Sequence, residues 1–169
     1  MSECPVFTIR EAETPTPPKS KEKILVPVDF SEHSQNALAN AKEIAKSYET
    51  KIHLLHIIEE TIHPAYSLSG KSSIFDIVPN IKEDCERRLK KMISEKIGEE
   101  VKTQIHIVSG QAANEIINFA KNNSMDLIVI ATHGLTGLEH LLLGSTTEKV
   151  VRMSSCPVFT VNSFGKSLI

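Results

Sequence analysis

The chain lacks an excess of either charge: 19 Lys and Arg stand against 21 Asp and Glu in 169 residues, with no large block of either. No electrostatic footprint for a polyanion follows, which sets nucleic acid aside as a partner. Lys19, Lys21 and Lys23 form the one short basic stretch, while Arg87, Arg88, Lys90 and Lys91 share a helical pattern with Glu83, Asp84 and Glu86, as on a solvated helix face. Cysteine is scarce. Cys4, Cys85 and Cys156 make neither a CxxC pair nor an even-numbered framework, which argues against a disulfide scaffold and structural zinc and for a reducing compartment. No run approaches the roughly 18 apolar residues of a membrane span. The opening MSECPVFTIREAETPTPP has no basic region followed by a long apolar one, so a cytoplasmic protein without membrane contact is expected. Both GxxxxGK[ST] and GxGxxG are absent, so any phosphate grip must be of another kind.

What is present is an alternation of short apolar runs and amphipathic stretches. Ile24 to Val28 reads as a strand, and Ala37, Leu38, Ala41, Ile44, Ala45 and Tyr48 follow at helical spacing. Ile52 to Ile58 is a second strand, and the polar stretch Thr61 to Ser73 reads as a loop whose length suggests mobility or function. Val78, Ile81, Cys85, Leu89 and Met92 mark a long helix with Pro79 in its first turn and a stop near Gly98. Val101 to Val108 alternates as an edge strand with one buried face. Ala113, Ile116, Ile117 and Ala120 make a third helix. The unbroken run Leu127 to Ala131 belongs at the centre of a parallel sheet covered on both faces. A helix from about Ser145 to Met153 and a fifth strand, Val158 to Val161, close the pattern, which implies a doubly wound, mostly parallel sheet in a three-layer α/β/α fold. The expected organisation is an extension and Pro-rich linker over 1–22, one domain over 23–162 and a tail over 163–169.

The two ends repeat each other. Ser2-Glu3-Cys4-Pro5-Val6-Phe7-Thr8-Ile9 matches Ser154-Ser155-Cys156-Pro157-Val158-Phe159-Thr160-Val161 at six of eight positions. The first copy looks like the last strand of a preceding repeat, joined by the Pro-rich stretch Glu11 to Ser20. Either Val6 to Ile9 augments a sheet edge, its own or a partner's, or it is a frayed tail.

The strongest local signal is Ala131-Thr132-His133-Gly134, nine residues, then Gly144-Ser145-Thr146. Ser145-Thr146-Thr147-Glu148 is a capping-box pattern in which the Ser145 side chain accepts from the Glu148 amide. Gly144 before it permits a tight turn that exposes amides, and a helix N-terminus favours an anion by about 0.3–1 kcal/mol. Ser145 therefore caps its helix, binds a phosphate, or does both. Asp29 ends the first strand, where ligands of open α/β sheets bind; capping the next helix is its other role, for which Ser31 competes. Pro27, lacking an amide, suits a strand end where the ladder opens. No Ser/His/Asp set or carboxylate pair can be fixed around His133, which reads as a positioning or structural group. His33, His53, His56, His63, His106 and His140 show no metal-ligand spacing.

With its opening Ile24-Leu25-Val26-Pro27-Val28-Asp29, its Leu55-His56-Ile57-Ile58 and its Cys156-Pro157-Val158, the chain resembles universal stress proteins from about Lys23 to Val161. Nucleotide-binding members carry glycine, two residues, glycine, nine residues, then glycine and Ser or Thr, which this chain matches at Gly134, Gly144 and Ser145, with Ala131 in place of the first glycine. The resemblance implies an open twisted five-stranded parallel sheet of order 3-2-1-4-5, like that of the adenine nucleotide alpha hydrolases. It implies ATP, or AMP or ADP, held by Pro27, Val28, Asp29, Ile57, Ala131, His133, Gly134, Gly144, Ser145 and Thr146, with Mg²⁺ or Mn²⁺ bridging phosphates. It also implies a homodimer through the fifth strand. The expectation is a nucleotide-sensing stress-response switch with at most weak ATP hydrolysis, since no water-activating group stands out. The alternative is a protein-interaction module that binds no nucleotide, to which the Ala131 departure points. An adenylyl-transfer enzyme would need an HxGH pair or a Gly-rich loop that Asp29-Phe30-Ser31-Glu32-His33-Ser34 does not supply.

Overall fold

The computed structural model describes residues 6–9, 23–59, 78, 80–133 and 143–162. Gly134, the Thr61 to Ser73 loop, Pro79, the Pro-rich linker and the tail lie outside them. The described residues form six strands, β1 (Val6–Thr8), β2 (Lys23–Val28), β3 (Lys51–Ile58), β4 (Thr103–Ser109), β5 (Leu127–Ala131) and β6 (Val158–Val161). Four helices accompany them: α1 (Glu32–Ser47), α2 (Ile81–Lys96), α3 (Ala112–Asn122) and α4 (Ser145–Met153). The sheet order is β1-β6-β5-β2-β3-β4. The five strands from β2 onward are parallel and run in the expected order, with β5 and β2 at the centre. A sixth strand, β1, adds to β6 in antiparallel sense and makes the sheet one strand wider than expected.

Alternation along the strands sorts their side chains into two cores. Ile24, Val26 and Val28 of β2 face Ala37, Leu38, Ala41 and Ala45 of α1 and Leu89 and Met92 of α2. Leu25 and Ile128, on the opposite face, meet Ala113, Ile116 and Ala120 of α3 and Val150 of α4. Each fully buried Leu, Ile or Val side chain among them is worth about 1.5–3 kcal/mol. Ser31 caps α1 by accepting from the Ser34 amide, and α2 ends where Gly98, at φ +70°, takes the left-handed conformation and donates to the Ile93 carbonyl.

Several expectations are corrected. Tyr48 and Val78, placed on buried helical stripes, are exposed, because Tyr48 follows the last turn of α1 and Val78 precedes α2. Strand β4 is at the sheet edge as expected, and Gln104 is exposed on its polar face, but His106 on that face is half-buried: it stacks on His53 and meets Phe119 of α3 at a tilt. Pairing of β2 with β5 covers Ile24 and Leu25, whereas pairing with β3 continues to Val28. The ladder therefore parts before Pro27, where a missing amide is tolerated.

Candidate functional site

The chain leaves β2 for β3 and β4 on one side and reaches β5 and β6 on the other, so the strand order reverses between β2 and β5. A cavity of about 590 Å³ opens there, beyond the carboxyl ends of the strands. Pro27 and Val28 from β2, Asp29 just beyond it, Ile57 from β3, Ala131 and His133 from the end of β5, and Thr146 from α4 all line it. Seven sequence-predicted residues thus meet around one space. Gly144 and Ser145 stand beside the cavity without lining it.

Asp29 is held in place by its neighbour Ser31. Its Oδ1 accepts from the Ser31 amide at 3.0 Å and from the Ser31 hydroxyl at 2.5 Å. Ser31 Oγ in turn accepts from the Ser34 amide at 3.1 Å, so Ser31 is the cap and Asp29 braces it from the cavity wall. Between them Phe30 sits at φ +66°, a conformation costly for a residue with a side chain and common where function over-determines the backbone. Its ring rests against His56 at 4.4 Å, and the Arg88 guanidinium lies 3.7 Å from its centroid. His56 donates from Nδ1 to the Val28 carbonyl at 2.8 Å, which fixes its tautomer, and burial lowers its pKa. A neutral imidazole and a stacked guanidinium therefore flank the acidic residue. His56 and Arg88 also line the cavity, and neither is among the expected site residues: His56 stands in the Leu55-His56-Ile57-Ile58 segment without a role, and Arg88 reads as part of a solvated helix face.

The opposite wall is held by backbone. The Gly144 amide donates to the Thr132 carbonyl at 2.8 Å, and the buried Thr147 hydroxyl donates to the Ala131 carbonyl at 2.7 Å. These two bonds fasten the start of α4 to the end of β5. Here the capping-box expectation fails. The N-cap is Gly144, without a side-chain bond, and the Glu148 amide bonds the Gly144 carbonyl at 2.9 Å instead of the Ser145 hydroxyl. Ser145 is the first helical residue, and the amides of Ser145, Thr146 and Thr147 have no intrahelical acceptor. The reason for glycine at 144 also changes: its φ is −66°, open to any residue, but a Cβ would lie 3.1 Å from the Thr132 carbonyl oxygen. Close approach, not a left-handed turn, demands it. His133 is buried, with Nδ1 3.0 Å from the Thr132 hydroxyl and its ring 6.2 Å from that of His33.

Chemically, the arrangement offers a carboxylate on one wall and main-chain donors on the other, across an apolar-lined space at a strand-order reversal. Among the described residues no group of three His, Cys, Asp or Glu could hold a metal ion. Nor is any helix of the described residues long and apolar enough to cross a membrane.

Comparison with known proteins agrees with this fold and sequence. Residues 21–162 match the model of the universal stress protein family. The chain is 37% identical over 141 residues to Universal stress protein MJ0531 of Methanocaldococcus jannaschii, covering 82% of this chain and 81% of that protein. It is 32% identical to Universal stress protein YxiE of Bacillus subtilis, over 82% of this chain and 97% of the relative. The solved structure of MJ0577 superposes with a TM-score of 0.68 at 29% identity, over 85% of this chain and 97% of that one. A universal stress protein in complex with cAMP and one from Archaeoglobus fulgidus in complex with dAMP share the fold at 20% identity and a TM-score of 0.59. The fold and site thus define an open α/β protein with a cleft at its switch point, and the chain belongs to the universal stress protein family.

Proposed function

We propose that this chain binds an adenine nucleotide in the β2–β5 cavity and works as a nucleotide-responsive regulator, with at most slow ATP hydrolysis. The observation that carries the reading is the opposition of Asp29 to the first-turn amides of α4 across one cavity of about 590 Å³. A carboxylate suits ribose hydroxyls, which donate to it. Amides at a helix N-terminus suit phosphate oxygens, which accept from them. Ile57, Val28 and Pro27 offer an apolar slot for the base, and the Ile57 backbone is the proposed contact to its edge. His133, Gly134, Gly144, Ser145 and Thr146 make up the proposed phosphate side, with His133 as a positioning group. Further support comes from the two fold relatives solved with cAMP and dAMP.

A divalent cation, Mg²⁺ or Mn²⁺, would ride on the phosphates themselves, since no three-ligand cluster exists among the described residues. Slow turnover fits the engagement of the two described groups nearest to that role: the Asp29 Oδ1 braces a helix cap, and His133 bonds Thr132. Grip that is equal in ground and transition states accelerates nothing.

Calorimetric titration of the full chain with ATP, ADP and AMP tests the reading. Saturable binding is expected, and Asp29→Asn, which keeps an acceptor for Ser31 but removes the charge, should weaken it about 10- to 100-fold, the worth of a charged hydrogen bond. Flat titrations with all three nucleotides would instead favour the protein-interaction module, a reading that rests on the Ala131 methyl lining the cavity where the family pattern has glycine.

A further inference from the structure

Strand β1 pairs along the outer edge of β6 with Val6 opposite Thr160, Phe7 opposite Phe159 and Thr8 opposite Val158. Those three β1 residues recur in the same order as Val158, Phe159 and Thr160 of β6 itself. Replacing each β1 residue by its β6 counterpart sets Val158 opposite Thr160, Phe159 opposite Phe159 and Thr160 opposite Val158. That is the pairing two copies of β6 would make about a two-fold axis at Phe159, in the middle of the strand. The family resemblance already implies a homodimer through the edge of β6; we propose that in this chain β1, a stand-in for a second copy's β6, occupies that edge and keeps it closed within the same chain. The proposal is independent of the nucleotide reading.

The contacts that β1 makes are ones a second β6 would reproduce. The Phe7 and Phe159 rings meet at 6.0 Å and 55°, and the Thr160 hydroxyl donates to the Val6 carbonyl at 3.3 Å. Both use residues or backbone that β6 also carries. An antiparallel pair of identical strands is reciprocal, as a closed two-fold interface requires. Without a covering strand the β6 edge would show a row of unpaired amides and carbonyls, the usual template for association. A tethered strand enjoys an effective concentration on the order of millimolar, so at micromolar protein β1 excludes a second copy. The latch is small, however. It pairs over three residues, and Val6 and Phe7 remain 47% and 50% exposed, so a modest perturbation should release it.

The test is the molar mass by light scattering of the full chain and of a full-length variant carrying Val6→Asp, Phe7→Asp and Thr8→Pro. Two charges and a missing amide abolish the strand while touching no residue of either core. The wild type should run at the one-copy mass of 18.7 kDa at micromolar concentration. The variant, with its circular dichroism and cooperative unfolding retained, should run at twice that mass and dissociate on dilution. A wild type already at double mass overturns the proposal, and needs no variant to do so. If that double mass falls to one copy in the variant, β1 is exchanged between chains instead of folded back. A variant that stays at one-copy mass overturns it equally, because the freed edge then has no affinity for itself.

Discussion

The start of α4 permits a sharp separation of a structural hydroxyl from one available to a ligand. Ser145 is exposed at the first helical position, and the hydrogen bond its capping-box sequence promises goes to the Gly144 carbonyl instead. Ser145→Ala should therefore change stability by no more than about 0.5 kcal/mol, like other surface substitutions away from caps and cores. Thr147, two residues on, is 4% exposed, and its hydroxyl donates to the Ala131 carbonyl at 2.7 Å. Thr147→Val keeps the shape but removes the donor and strands a buried carbonyl, which costs about 1–3 kcal/mol. At about 2 kcal/mol, a chain of this length should lose roughly 4–8 °C in Tm. Urea unfolding of both variants, with m-values held against the wild type, checks the pair. The reasoning fails if Ser145→Ala costs a full kcal/mol, as a true cap would, or if Thr147→Val is neutral. Under the nucleotide reading, Ser145→Ala should still weaken ATP binding while leaving the unfolding curve in place, so a hydroxyl meant for ligand is told apart from one meant for the fold.

Acid should weaken the fold between pH 6.5 and about 4. Burial first, then Lys51, His106 and Lys23, pushes His53 down to about 4, and burial with Lys51 lowers His106. Both rings stay neutral in the fold, where His53 Nδ1 and His106 Nε2 share one hydrogen bond at 3.0 Å. The unfolded chain takes up protons first as pH falls through 6.5, so stability is full above that value and declines until the folded His53 itself protonates. The loss is about 2 kcal/mol after discounting for solvent screening, and His53→Leu should flatten that part of a stability-versus-pH curve. Gly144→Ala should cost about 1 kcal/mol, because its Cβ meets a backbone oxygen at 3.1 Å that cannot swing aside. Thermal unfolding of Gly144→Ala beside Gly98→Ala separates crowding from backbone strain, since nothing lies within 4 Å of a Cβ at Gly98, whose φ is +70°.

Much of the fold could be read from periodicity, because the parallel sheet is covered on both faces and its strands are nearly all apolar. Leu127 to Ala131 reads as central since nothing polar interrupts it, and it lies between β2 and β6. Where the reading slipped, tertiary contacts override the local pattern. His106 and Gln104 look like a solvated face, yet His106 is covered by Phe119 from α3, a partner that β4 itself does not reveal. Strand β1 was legible as a repeat of β6. Whether it would pair, and with which edge, depends on long-range register that no local sequence carries.

At the site, positions were more legible than roles. Asp29, Ile57, Ala131 and Thr146 come together because open sheets gather strand ends at the reversal, a rule that needs no side-chain detail. A difference of one residue in where α4 begins, by contrast, turns Ser145 from cap to first-turn residue and passes the stabilising hydroxyl to Thr147. Capping preferences favour serine over glycine only modestly, so they could not settle that choice. What decides it is Thr132. Its amide bonds the Val161 carbonyl of β6, its carbonyl takes the Gly144 amide, and its hydroxyl meets His133. With that carbonyl fixed by β6, Gly144 must come within 2.8 Å of it, and the helix can begin nowhere but the next residue. The start of α4 is thus set from β6, through a threonine that stands within the Ala131 to Gly134 segment but at a position its glycine pattern leaves open.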